Sequence, residues 1–204
     1  MELLGTNKTD IRRASDIIKA GGVVVYPTDT LYGLGADALN EDAIKKVFKI
    51  KKRPLSMPLP IAVSDIKMLS TYAHVDAKAK AVIEKFLPGP LAVILKKKNL
   101  PDVLTSGLEN VALRIPNNPV ALDLIAHLDV PITTTSANLS GKAPPISVKE
   151  VLAQISDINL ILDGGELESR QPSTIIDLTG KSKVVRVGRI PTDVITKVLE
   201  EIYG

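Results

Sequence analysis

Cysteine is missing from all 204 positions, which removes disulfides, thiolate nucleophiles and cysteine-built zinc sites. Histidine occurs only at His74 and His127, too few for a histidine-built metal centre. Tryptophan is absent and aromatic residues are 3% of the chain. The core must therefore be built from Val, Ile, Leu and Ala, which suits an α/β fold, and the aromatic platforms of common single-strand nucleic-acid binders are lacking. No Ser-His-acid set and no paired carboxylates stand out, so positioning and charge neutralisation are expected rather than covalent catalysis. No apolar run approaches the length of a membrane span. Asp10, Arg12, Arg13 and Asp16 interrupt the amino-terminal segment before a signal peptide could develop. A soluble, cytoplasmic protein is the expectation.

What is present is 45% hydrophobic residues and 26 basic against 23 acidic ones, a formal charge of +3. That excess is compatible with an anionic ligand and establishes no nucleic-acid partner. With no repeat or composition shift to divide the chain, one domain over 1–204 is expected.

Hydrophobic periodicity organises the chain into alternating helices and strands. Ile11, Ala14, Ile17 and Ile18 share one helix face, and Gly21-Gly22 stops that helix before the buried strand Val23–Tyr26. Asn40 caps a helix carrying Ala43, Ile44, Val47 and Phe48, and Ser64 and Asp76 open two more. Strands follow at Leu91–Leu95 and Val111–Ile115, and Asn118-Pro119 starts a helix that feeds the strand Pro131–Thr135. Ser147 and Glu150 fit a capping box. Strands at Asn159–Leu162, Ser173–Leu178 and Val184–Val187 precede a closing amphipathic helix over Pro191–Tyr203. Some links carry helices and others are short turns, so the sheet mixes parallel and antiparallel pairs.

Four segments carry candidate chemistry. Pro27–Gly35, PTDTLYGLG, groups Thr28, Thr30 and Tyr32 with Gly33 and Gly35, glycines that would let the backbone approach a ligand. It lacks the glycine-lysine-hydroxyl spacing of a phosphate loop. Lys51 and Arg53, in KIKKRP, alternate; an extended stretch there would send both cations to one side, toward one polyanion. Thr133–Gly141, TTTSANLSG, offers four successive hydroxyls followed by Asn138, a composition that suits either a phosphate or ribose cup or a local polar turn. Finally, Arg114 and Arg186 each interrupt an apolar strand, and a cation there needs water, an acid or an anionic ligand. Asp29, Asp163 and Asp177 read as turn or strand-end residues ahead of metal partners.

In order, PTDTLYGLG, KKRP, PGPL, LRIPNNP, TSAN, STIID and VRVG resemble the YrdC-like family of threonylcarbamoyl-AMP synthases from about Gly21 to Ile190. The resemblance implies a YrdC-like twisted mixed parallel/antiparallel sheet with flanking helices and a concave basic site. It implies a nucleotidyltransferase that joins L-threonine, bicarbonate and ATP into threonylcarbamoyl-AMP and pyrophosphate. That product supplies the group placed on tRNA adenosine 37 by a downstream transfer machinery. Carried onto this chain, Lys51 and Arg53 serve catalysis and the ATP phosphates, with Ser136, Asn138 and Arg186 on the nucleotide side. Thr30, Tyr32, Arg114, Thr134 and Ser173 fall on the threonine side. Mg²⁺ is expected to come with ATP, with no protein ligand. Two departures stand out: some members carry a histidine after the basic pair where this chain has Ala62, and longer relatives add a carboxy-terminal domain. A double-stranded RNA or tRNA-binding module is the competing expectation, for which a basic concavity would also serve.

Overall fold

The structure, a computed structural model, describes residues 1–203. Its elements run β1 (Glu2–Leu4), α1 (Lys8–Lys19), β2 (Val24–Tyr26), β3 (Gly33–Gly35), α2 (Glu41–Lys51), β4 (Ile61–Ala62) and α3 (Ile66–Tyr72). They continue with α4 (Ala77–Phe86), β5 (Leu91–Lys96), α5 (Asp102–Thr105), β6 (Asn110–Arg114), α6 (Pro119–Leu128), β7 (Ile132–Thr133) and β8 (Thr135–Ser136). The last are α7 (Val148–Leu152), β9 (Leu160–Leu162), β10 (Thr174–Asp177), β11 (Lys183–Arg186) and α8 (Thr192–Tyr203).

The α/β class with mixed pairing is as the sequence implies, but the strands divide between two sheets. One has the order β1-β9-β2-β3-β8 and the other β11-β10-β5-β6-β4-β7. In the first, β1 and β2 flank β9 in parallel, and β3 runs antiparallel to both β2 and β8. In the second, β10–β5 and β6–β4 are parallel and the remaining pairs antiparallel. Pro131–Thr135, expected as one strand, is the seam: Ile132 and Thr133 pair in the six-stranded sheet, whereas Thr135 and Ser136 pair in the five-stranded one. Thr134, between them, belongs to neither ladder and donates its N–H to the Pro60 carbonyl at 2.9 Å.

One apolar cluster lies between the sheets, joining Val25 and Leu34 of one to Val93, Leu113 and Ile176 of the other, with Ile44 and Val47 of α2 and Val82 and Ile83 of α4. On the opposite face of the five-stranded sheet, Ile11, Ala14 and Ile18 of α1 and Leu124 and Ile125 of α6 cover Val24, Tyr26, Leu160 and Leu162. Helix starts follow side-chain capping. Asn7, Asn40, Asp76 and Asn118 each accept first-turn N–H groups. The third helix is capped by Asp65, one residue after the expected Ser64, because the Asp65 carboxylate accepts from Met68 N–H at 2.8 Å. At α7 the capping box is displaced. Ser147 accepts from Glu150 N–H, but the Glu150 carboxylate reaches back to Ile146 N–H and is held by Arg170.

Gly33 and Gly35 both make room for a buried aromatic side chain, since a Cβ on either would stand 2.9 Å from the Tyr26 ring. Of the two, Gly33 also lines the cavity, as the sequence suggests, and Gly35 does not. Gly188 is more confined still, since a Cβ there would meet the Pro172 carbonyl oxygen at 2.2 Å and the Ser173 carbonyl carbon at 2.5 Å. Backbone cannot yield as a side chain can. Gly188→Ala is expected to destabilise the protein by about 3 kcal/mol, read as a lower urea midpoint at unchanged slope.

Candidate active site

A cavity of about 640 Å³ lies over the face of the six-stranded sheet that carries Ala92, Ile94, Ala112 and Ile175, the face opposite the apolar cluster. Its lining includes all ten residues singled out from the sequence: Thr30, Tyr32, Lys51, Arg53, Arg114, Thr134, Ser136, Asn138, Ser173 and Arg186. Chain separation alone makes this convergence informative. Lys142 adds a fifth cationic residue to Lys51, Arg53, Arg114 and Arg186, while Asp177 is the one carboxylate residue among those lining it. The balance favours a polyanionic ligand.

The basic pair reaches the cavity by a route other than alternation along an extended stretch. Lys51 is the last residue of α2, and Lys52 caps that helix in the left-handed region with φ 48°. Lys51 is only 2% exposed. Its ammonium donates to the Ser136 carbonyl and to the Asn138 carbonyl at 2.8 Å, and contacts the Asn138 side-chain oxygen at 3.5 Å. In return, Ser140 N–H donates to the Lys51 carbonyl at 2.9 Å. Burial, with the adjacent Arg53 charge, lowers the Lys51 pKa to about 7. Arg53 donates from Nε to the Met57 carbonyl at 3.0 Å and from Nη2 to the Pro58 carbonyl at 2.9 Å, and partial burial lowers its pKa.

Asn138 organises its own loop. Its amide nitrogen donates to the Leu139 and Lys142 carbonyls at 2.8 and 2.7 Å, while its side-chain oxygen accepts from the Ser136 hydroxyl. The hydroxyl run divides in function. Thr133 faces inward, donating to the Leu34 carbonyl and accepting from Ala36 N–H, whereas Thr134 and Ser136 line the cavity. The polar-turn and ligand-cup readings of this segment therefore each describe part of it.

On the other wall Arg114 is buried, at 5% exposure. Its Nη2 pairs with the Asp29 carboxylate and donates to the Gly89 carbonyl at 3.3 Å; its Nη1 donates to the Thr30 hydroxyl at 3.0 Å. Thr28 shapes that loop by accepting from Thr30 and Leu31 N–H groups. The Tyr32 hydroxyl donates to the Gly165 carbonyl at 2.7 Å and accepts from Gly164 N–H at 3.0 Å. Burial raises the Tyr32 pKa to about 12, so the residue contributes a neutral wall. Arg186 donates from Nε and Nη2 to the Ser173 carbonyl at 3.1 and 2.8 Å, and burial together with the Arg114 charge lowers its pKa.

Sequence reasoning passed over Asp29 as the partner of Arg114, and Ser140 and Lys142 as lining residues. Asp29 and Ser140 lie within the marked strings PTDTLYGLG and TTTSANLSG, and Lys142 just past the second; that placement was their only signal. Among the described residues no group of three or more His, Asp or Glu side chains could hold a metal ion, and no helix is long and apolar enough to cross a membrane.

A model of the Sua5–YciO–YrdC family, described as telomere recombination, matches residues 16–188. Threonylcarbamoyl-AMP synthase of Pyrococcus abyssi is 41% identical over 196 residues, taking in 94% of this chain and 58% of that protein. The protein of the same name from Bacillus subtilis is 39% identical over 207 residues, taking in 98% of this chain and 59% of the other. A crystal structure of P. abyssi Sua5 complexed with L-threonine matches with a TM-score of 0.94 at 38% identity, covering 97% of this chain and 61% of that one. The chain thus spans about three fifths of the length of these relatives.

Proposed function

Because this chain belongs to the Sua5–YciO–YrdC family, we infer that it is a nucleotidyltransferase making threonylcarbamoyl-AMP and pyrophosphate from L-threonine, bicarbonate and ATP. The observation that carries this reading is the convergence, on one cavity, of cationic and hydroxyl residues spread from Thr30 to Arg186. The names of the relatives and the threonine complex of the P. abyssi protein support the choice of substrates.

The chemistry explains why such a lining is useful. The threonine amino group adds to bicarbonate carbon, and loss of water leaves a carbamate. A carbamate oxygen then bonds to the α-phosphorus while the bond from that phosphorus to the pyrophosphate oxygen breaks. Both reactants are anions, so repulsion must be offset and the attacking oxygen aligned with the leaving group. Lys51 and Arg53 take the phosphates, with Arg186, Ser136 and Asn138 on the nucleotide side. Asn138 acts largely by holding the 136–142 loop to Lys51. Arg114, Thr30, Thr134 and Ser173 face the threonine carboxylate and hydroxyl, and Tyr32 walls that end. Mg²⁺ would arrive on ATP, held by phosphate and water oxygens. The mixed anhydride product suits a downstream acyl transfer to tRNA adenosine.

Purified protein supplied with ATP, Mg²⁺, bicarbonate and L-threonine should release pyrophosphate only when threonine is present. No threonine-dependent release from folded protein refutes the reading. Arg53→Ala should lower that rate about 100-fold. Its two lost hydrogen bonds to the 57–58 carbonyls should cost about 1–2 kcal/mol of stability. Full activity in the variant would remove Arg53 from the site.

A further inference from the structure

We infer that Asp29 is a positioning residue for the threonine side of the cavity, acting through Arg114; this rests on the synthase reading above. The pair is enclosed, with side chains 6% exposed for Arg114 and 10% for Asp29. Three acceptors define the guanidinium plane: the Asp29 carboxylate and Gly89 carbonyl on Nη2, and the Thr30 hydroxyl on Nη1. Arg114 Nε is left buried with no hydrogen-bond partner, and Arg114 lines the cavity. A guanidinium held at the wall of a cavity is suited to a ligand carboxylate.

Asp29 is itself fixed from behind. Arg189, in the connection between β11 and α8, donates from Nη1 to the Asp29 carbonyl oxygen at 2.7 Å. Within the loop, Thr28 Oγ accepts from the N–H groups of Thr30 and Leu31, both at 3.2 Å. Backbone and side chain of Asp29 are thus both tied, and the flexible Arg114 side chain takes its orientation from a rigid neighbour. Asp29 is not among the residues lining the cavity, so its effect passes through the arginine.

Position, rather than neutralisation of charge, is what Asp29 supplies. Asparagine keeps an oxygen where the carboxylate oxygen stands but leaves the buried Arg114 charge without its counter-ion, so its urea midpoint should fall, whereas glutamate keeps the charge and displaces it by one methylene. The experiment is steady-state pyrophosphate release by the full chain, with threonine and ATP varied separately. Asp29→Asn should keep the threonine KM within about threefold of the parent, and Asp29→Glu should raise it at least about tenfold, as small misplacements do. The ATP KM should stay within about twofold in both. A glutamate variant matching the parent while the asparagine variant fails would assign the effect to charge and overturn the inference, as would parental KM values in both or equal rises for both substrates. Circular dichroism checks folding. If Asp29→Glu does not fold, Asp29→Ser, which withdraws the oxygen without adding volume, takes its place with the same expected tenfold rise. Parent protein that shows no threonine-dependent release would instead refute the synthase reading.

Discussion

Lys51→Met is expected to reduce threonine-dependent pyrophosphate release by about 10²–10³-fold, the loss seen when one preorganised charge donor is removed from a transition state. Two roles fail together. The hydrogen-bond donor facing the phosphates disappears, and the Ser136 and Asn138 carbonyls, which Lys51 ties to the end of α2, lose a shared donor. The ammonium also leaves a pH signature. Its pKa is about 7 in the fold, against an ordinary value of 10.5. Between those values the unfolded chain binds the extra proton, so stability rises with pH across that window and is lost as pH falls toward 7. Parent protein should gain on the order of 2 kcal/mol between pH 7 and pH 9 from this group. Urea unfolding at the two pH values, parent against Lys51→Met, isolates the contribution as a difference in slope with pH. Equal slopes would show that Lys51 titrates normally in the fold, and parental activity would remove it from the phosphate site.

Much of this arrangement is legible in the sequence. Apolar periodicity located α1, α2 and α6, and the caps Asn40, Asp76 and Asn118 fixed the starts of α2, α4 and α6 to the residue, because a side-chain oxygen on an orphan N–H is a local interaction. Local rules could not divide the sheet. Pro131–Thr135 reads as one strand, yet Thr133 and Thr135 pair in different sheets, an outcome set by partners far along the chain. The two-residue β4 and three-residue β1 and β3 are too short for periodicity to register. The site followed the same division. Residue types placed the cations and hydroxyls, but Lys51 reaches the cavity from a helix end, and Gly35, expected beside the ligand, packs on Tyr26 outside the lining. Asp29 lies 85 positions from Arg114, and no spacing rule links an acid in a loop to an arginine at a distant strand's end.

Arg114→Ala is the substitution expected to damage both folding and function. Breaking a buried ion pair by removing one partner leaves the other charge desolvated and unpaired. Here the Asp29 carboxylate would lose Arg114 Nη2, while its second oxygen already has no hydrogen-bond partner. A cost of about 3–5 kcal/mol follows, with Thr30 and the Gly89 carbonyl also losing a donor. Removing both partners should be milder. In Asp29→Asn/Arg114→Met the buried charges vanish together, so at least about 2 kcal/mol of the loss should return. Activity should not return with it, because the donor facing the threonine carboxylate is gone. Arg114→Lys should also fail to restore turnover: an ammonium cannot reproduce the planar set of donors that meets Asp29, Thr30 and Gly89 at once. Urea midpoints and pyrophosphate release on the three variants separate the two effects. If the double variant is no more stable than Arg114→Ala, the ion pair does not govern this wall of the cavity; if it turns over threonine like the parent, Arg114 does not bind the substrate.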